Sequence, residues 1–184
     1  MSDALIGYPR WETTFHFLTG QNIGLVVNRQ NRETVSALVS STILGQHKIV
    51  DSFDRSYVFP LWLYPREKQD LLDEIPPNPP LTKGGAQRAG DLRRPNFAPE
   101  FLVALKQKTG DMPLTPEDVF AYLYAVLYAP GYRTRYAEFL KRDFPRIPLT
   151  SDRALFKRLV ALGQQLVELH LMRRHAAAIC RYPV

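Results

Sequence analysis

Cysteine is nearly absent from this sequence: Cys180 is the only one in 184 residues. One thiol cannot form an intramolecular disulfide, and it cannot supply the paired thiolates of a structural zinc site. The four histidines stand apart from other ligand types in the sequence, so we expect no metal site. Such sparing use of cysteine is typical of a reducing compartment, and we expect a cytoplasmic location.

Long apolar runs are also missing. No uninterrupted apolar stretch approaches the roughly 18 residues of a membrane-spanning helix, so we expect no membrane partner. No N-terminal run resembles a signal peptide. Hydrophobic residues still make up 45% of the chain, which is enough for a folded domain.

Sequence motifs of common catalytic sites are missing as well. The sequence has no GxxxxGK[ST] phosphate loop, no glycine-rich cofactor loop and no GxSxG nucleophile turn. The tetrapeptide Asn78-Pro79-Pro80-Leu81 has part of the pattern with which adenine methyltransferases hold a flipped base, but leucine replaces the aromatic residue. We therefore expect this chain to need no cofactor and not to be an enzyme by itself.

Positive charge is what the sequence has in excess. Lys and Arg number 24 against 18 Asp and Glu, which gives a formal net charge of +6 at pH 7. A basic balance of this size favours a polyanionic partner, although charge alone does not identify one.

The first third of the chain favours strands. Residues 23–27, 34–43 and 57–64 are rich in β-branched and aromatic residues, while residues 12–18 fit either a short helix or a strand. Gly24 indicates a bulge or a close approach by another backbone, and Pro60 indicates an edge position or a bulge. These segments predict a small mixed or antiparallel sheet.

The composition changes abruptly at residues 65–95. Five prolines and three glycines fall within residues 75–95, and no apolar periodicity is sustained there. Such a composition is typical of a flexible insertion or linker. We therefore divide the chain into a sheet-containing part (1–64), a disordered insertion (65–95) and a helical part of the same domain (96–184).

The helical part opens with a helix that begins near Pro99 and ends at Gly110. A second helix begins at Thr115, a predicted N-cap with Pro116 in the first helical position and Asp118 at the third. Pro130-Gly131 ends that helix, and a shorter one follows over 132–141.

A rigid connector and a long last helix complete the helical part. Pro145 and Pro148 predict an extended connector, after which Thr150, Ser151 or Asp152 caps the last helix. Leucines recur in that helix at steps of four and three, and we expect them to form its packed side: Leu155, Leu159, Leu162, Leu166 and Leu169. The whole pattern predicts an α+β fold with a small sheet packed on a C-terminal helical bundle.

The stretch PEDVFAYLYAVLYAPGYRTRYAEFLKRDFPRIPLTSD, followed by LGQQLVELHLM, resembles the C-terminal target recognition (specificity) domain of type ISP restriction-modification enzymes. The resemblance extends upstream through GQNIGLVVNRQ and YVFPLWLYP. Those enzymes are single polypeptides that combine nuclease, helicase and adenine methyltransferase parts. The resemblance implies sequence-specific recognition of duplex DNA, with those parts of a parent or neighbouring polypeptide as further partners.

Two groups of polar side chains are candidates for DNA contacts. One lies in the loops at the ends of the predicted strands and would contact base edges, where Arg can read guanine and Asn or Gln can read adenine, or phosphates: Arg29, Gln30, Asn31, Arg32, His47, Lys48 and Arg55. The other lies in the helical part and suits backbone phosphates: Arg133, Arg135, Lys141, Arg142 and Arg146. For residues 28–32, a solvated turn without a ligand is the alternative interpretation.

A second function stays open at this point. The chain could be a decayed or split C-terminal fragment that serves as a protein-interaction module on a methyltransferase partner, without binding DNA by itself. The sequence does not separate this alternative from DNA recognition.

Overall fold

The computed structural model describes residues 11–30, 37–44, 56–65 and 93–174. Within these ranges the chain forms α1 (Trp11–Leu18), β1 (Gly24–Asn28), β2 (Ala37–Ser40), β3 (Ser56–Pro60), β4 (Trp62–Leu63), β5 (Arg94–Pro95), α2 (Pro99–Thr109), α3 (Pro116–Tyr128), α4 (Pro130–Arg135), α5 (Ala137–Leu140) and α6 (Arg153–His170). Strands precede most of the helices, and the predicted α+β class is confirmed.

The main sheet has three antiparallel strands in the order β2-β1-β3. Val26 in the central strand is fully buried and lies opposite Leu38 on one side and Val58 on the other. Pro60 ends β3, an edge strand, as its missing N–H requires. The expectation for Gly24 was wrong: it pairs in regular register, and a Cβ there would meet the Phe17 ring, so a side chain and not another backbone needs the space.

A second, two-stranded ladder joins the sheet region to the helices. Trp62 in β4 lies opposite Pro95, and Leu63 lies opposite Arg94. These two β5 residues belong to the segment that the sequence assigns to the insertion, so ordered structure begins before residue 96. Residues 66–92 lie outside the described residues.

Asn22 fixes the junction between α1 and the two ladders. Its Nδ2 donates hydrogen bonds to the carbonyl oxygens of His16 (3.0 Å) and Trp62 (2.8 Å), and its Oδ1 accepts one from the Trp62 N–H (3.0 Å). Because this side chain is buried, the three bonds satisfy polar groups that water cannot reach. One asparagine thus holds three chain segments together.

The start of α3 has a complete capping box. Thr115 Oγ1 accepts from the Asp118 N–H (3.2 Å), and Asp118 Oδ2 accepts from the Thr115 N–H (2.9 Å). The predicted N-cap is therefore confirmed. The short helix predicted over 132–141 is wrong in detail, because the helix begins at Pro130 and the backbone at Tyr136 divides it into α4 and α5.

The predicted packed face of α6 was wrong in part: Leu159 and Leu166 pack against the core, but Leu155 and Leu162 are exposed. Its buried residues are Phe156, Val160, Gly163 and Val167, whereas Leu162 of the leucine series is 54% exposed. Gly163 explains the choice, since a Cβ there would overlap the carbonyl oxygen of Ala121 in α3. Gly163 faces α3, so the backbones of the two helices come close at this point.

The core between α3 and α6 is largely aromatic. Tyr122 stacks on Phe156 with ring centroids 4.5 Å apart, and Tyr124 is fully buried. Tyr122 and Tyr124 of α3 thus belong to the core. β2 packs against both helices, which places the sheet on the helical bundle. No described helix combines the length and the apolar character needed to cross a membrane.

Candidate nucleic-acid interface

The end of the sheet presents Arg29 and Gln30 to solvent directly after β1. Asn28, the last residue of β1, is 1% exposed, and its Oδ1 accepts a hydrogen bond from Ser56 Oγ (3.0 Å). This bond ties the end of the central strand to the start of β3. The side chain of Arg29 therefore starts from a fixed backbone position.

Arg29 is joined to the connector that follows α5. Its Nε lies 3.4 Å from Oδ1 of Asp143, and the two side chains are 60% and 55% exposed. An ion pair this exposed contributes about 0–1 kcal/mol to stability. The contact matters because it shows that the sheet end and the basic connector are neighbours in the fold.

Asp143 is itself held in place. A hydrogen bond from the Phe144 backbone N–H, followed by the contact with Arg29, lowers the pKa of Asp143 below its ordinary value. The Phe144 ring meets Tyr57 edge-on at 5.0 Å and Phe59 at 6.1 Å, both on β3. The residue after Asp143 thus packs the connector against β3.

Cations dominate the segment from α4 to the connector. Five cations and two acids lie in residues 133–146. Lys141 donates a 2.7 Å hydrogen bond to Glu138, which lowers the pKa of Glu138. Arg142 and Arg146 are exposed. The positive charge of Arg146 also helps to lower the pKa of Asp143.

Two further candidate arginines lie against aromatic rings. The Arg133 guanidinium sits 5.5 Å from the Tyr128 ring centroid and is only partly exposed, whereas Arg135 lies 5.8 Å from the Tyr136 ring and is exposed. Cation–π contacts of this kind orient a guanidinium while leaving its N–H groups able to donate. Arg135 is the better placed of the two to contact a ligand.

Two tyrosine hydroxyls anchor the connector. Tyr122 donates to the carbonyl oxygen of Pro148 (2.6 Å), and Tyr132 donates to that of Arg146 (2.9 Å). Burial raises the pKa of both hydroxyls, so they stay protonated donors. Proline supplies no N–H to this extended stretch, and side-chain donors from α3 and α4 fix its path instead.

An open cleft of about 440 Å³ lies between α4–α5 and the connector. Phe139 contributes to its wall with a side chain that is 72% exposed, and Arg142 and Arg146 also line it. An exposed aromatic ring beside cations is suited to sugar and base surfaces. Neither Phe139 nor Asp143 was predicted from the sequence; for Phe139, an aromatic residue between cations was the available signal.

The remaining candidates of the first group lie outside the described residues: Asn31, Arg32, His47, Lys48 and Arg55. Of that group, the structure places Arg29 and Gln30, and it brings Arg29 to the second group through Asp143. Among the described residues no three His, Cys, Asp or Glu side chains cluster as metal ligands would.

The sheet end and the segment from α4 to the connector thus carry an exposed basic surface, and comparison with known proteins identifies the family. The Type ISP C-terminal specificity domain family matches residues 1–183, so the chain belongs to that family. The family that the sequence resembles is therefore confirmed. No curated protein matches the chain.

Among solved structures, the chain is similar to the cryoEM structure of the DrdV-DNA complex. The sequence identity is 25%, and the TM-score is 0.57. The match covers 82% of this chain and 12% of the DrdV chain, so this chain spans only a small fraction of that relative.

Proposed function

We propose that this domain binds duplex DNA and recognises a specific sequence as the target recognition part of a restriction-modification enzyme. The observation that carries the proposal is the junction of Arg29 with Asp143, which joins the sheet end and the basic connector into one surface. Membership of a specificity domain family and similarity to a protein in a DNA complex support the same function.

The surface offers both kinds of contact that recognition requires. Exposed Arg142, Arg146 and Lys141 are suited to phosphates, which set the position of a protein on the duplex. Arg29 and Gln30 at the strand end are suited to base edges, because their side chains match guanine and adenine in the major groove. Asn31, Arg32, His47, Lys48 and Arg55 are proposed as additional contacts on the basis of sequence alone.

The domain would act beside catalytic parts that it does not contain. Its match to 12% of the DrdV chain supports a role as one part of a larger assembly, with methyltransferase, helicase or nuclease parts on the same or a neighbouring polypeptide. Specificity in such an assembly comes from this domain and chemistry comes from its partners. The predicted cytoplasmic location and lack of a cofactor stay predictions.

Random-site selection with the purified chain tests the proposal. We expect one discrete duplex motif to be enriched and bound about 10³-fold or more tightly than a scrambled duplex. We also expect affinity to fall steeply as salt increases, because phosphate contacts release counterions. If no motif is enriched and binding depends on salt alone, the chain is not a recognition domain by itself, and the protein-interaction alternative is favoured.

A further inference from the structure

Asp143 is an unexpected residue on a surface proposed to bind DNA. A carboxylate repels phosphates, and this one pairs with Arg29 and lines the same cleft as Arg142 and Arg146. Glu138, the other acid of the segment, pairs with Lys141 three positions away, as neighbours on a helical turn commonly do. Asp143 instead pairs with Arg29, which lies 114 positions away, directly after β1.

The contact uses one particular edge of the guanidinium. Arg29 meets Asp143 through Nε, and among the described residues Asp143 is its hydrogen-bond partner. A guanidinium has five N–H donors, of which four belong to the two Nη groups. Among the described residues the Nη pair has no hydrogen-bond partner, and the contact at Nε favours one direction for that pair.

We infer that Asp143 is a positioning residue that holds Arg29 by Nε so that its two Nη groups read the O6 and N7 edge of a guanine. This inference rests on the proposed function and names the base that Arg29 contacts. Two parallel N–H groups match those two acceptors, and no other base presents the pair in the major groove. Asp143 adds specificity without touching DNA.

Contacts of the residues next to Asp143 and Arg29 favour this role. Phe144 follows Asp143 directly in the chain, and its ring packs on Tyr57 and Phe59 of the neighbouring strand. Asn28 fixes the backbone just before Arg29. Both members of the pair are thus carried by the same sheet end, and the long arginine side chain loses little further freedom when it meets a base.

The test measures base discrimination separately from affinity. The guanine is identified as the motif position at which Arg29→Ala loses its preference. Binding is then measured on the selected duplex and on the same duplex with 7-deazaguanine there, which lacks the N7 acceptor. The chains compared are wild type, Asp143→Asn, Asp143→Ala and Asp111→Asn, the last a control that disrupts an exposed ion pair with Lys106 on α2.

We expect wild type and Asp111→Asn to bind the 7-deazaguanine duplex about tenfold more weakly than the selected one. Both Asp143 variants should bind scrambled DNA at least as well as wild type, since each loses a negative charge. Their preference for guanine over 7-deazaguanine should fall to about threefold or less, with an unchanged melting temperature.

Three results would overturn the inference. The first is that wild type selects a motif but an Asp143 variant keeps the full preference for guanine. That result would contradict the role of Asp143 and leave the proposed function intact. Another is wild type that tolerates 7-deazaguanine at every guanine of the motif. If wild type selects no motif at all, the proposed function and this inference fail together.

Discussion

Arg29 Nε lies 3.4 Å from Asp143 Oδ1, although 114 positions separate the two residues in the chain. The contact joins the end of the central strand to the connector between α5 and α6. Through it, two groups of cations that are far apart in the sequence become one surface.

The connector depends on tyrosine hydroxyls. Tyr132→Phe removes the hydrogen bond to the Arg146 carbonyl, and we expect the free energy of unfolding to fall by about 1 kcal/mol. Tyr136→Phe is the matched control, because its hydroxyl has no hydrogen-bond partner in the described part of the chain. Urea unfolding of both variants makes the comparison, and equal losses would show that the Tyr132 bond does not hold the connector.

The contact between α3 and α6 depends on Gly163. A Cβ there would overlap the Ala121 carbonyl, so Gly163→Ala should destabilise the fold by about 1–3 kcal/mol. Helix propensity favours alanine by only about 1 kcal/mol, which is too little to reverse the effect. Gly131→Ala is the control, since nothing lies within 4 Å of its Cβ position, and it should be neutral or stabilising. A stable Gly163→Ala variant would mean that the two helices lie farther apart.

The packed face of α6 can be tested by two truncations. Phe156 is fully buried, so Phe156→Ala should cost about 3–5 kcal/mol. Leu162 is 54% exposed, and Leu162→Ala should cost about 0.5 kcal/mol. Denaturant midpoints of the two variants give the two stability losses. A larger loss for Leu162→Ala than for Phe156→Ala would show that the leucines form the packed face of α6.

His170 should make stability depend on pH. Burial lowers its pKa below 6.5. The unfolded chain therefore binds a proton more readily than the fold, and stability is complete above pH 6.5 and falls as the pH drops below it. Unfolding of wild type and His170→Gln at pH 8 and pH 5 isolates this contribution. The variant should lose less stability between the two pH values, and equal losses would exclude His170 as the cause.

Local features of the fold were predictable from the sequence, whereas features made by distant contacts were not. The N-cap at Thr115 and the edge position of Pro60 follow from backbone chemistry within a few residues. The buried face of α6 depends on Ala121 in another helix, and the leucine spacing carries no information about that neighbour. Spacing is a poor guide when backbones approach closely at a glycine.

The candidate site also combines features that the sequence predicts with features that depend on distant contacts. Arg29 and Arg146 were predictable as cations at a strand end and in a connector. Their shared surface was not, because it depends on Asp143 and on the Phe144 ring against β3. An acid among cations gives no sign in the sequence of which cation it pairs with.

The most direct test of the central claim is the affinity of the chain for its selected duplex across a range of salt concentrations. Wild type, Arg29→Ala and Lys108→Ala are compared, where Lys108 is an exposed cation on α2 and serves as the charge-matched control. We expect Arg29→Ala to weaken binding by about 10- to 100-fold and Lys108→Ala to leave it within about twofold. Equal affinities and equal salt slopes for all three chains would contradict the proposed interface.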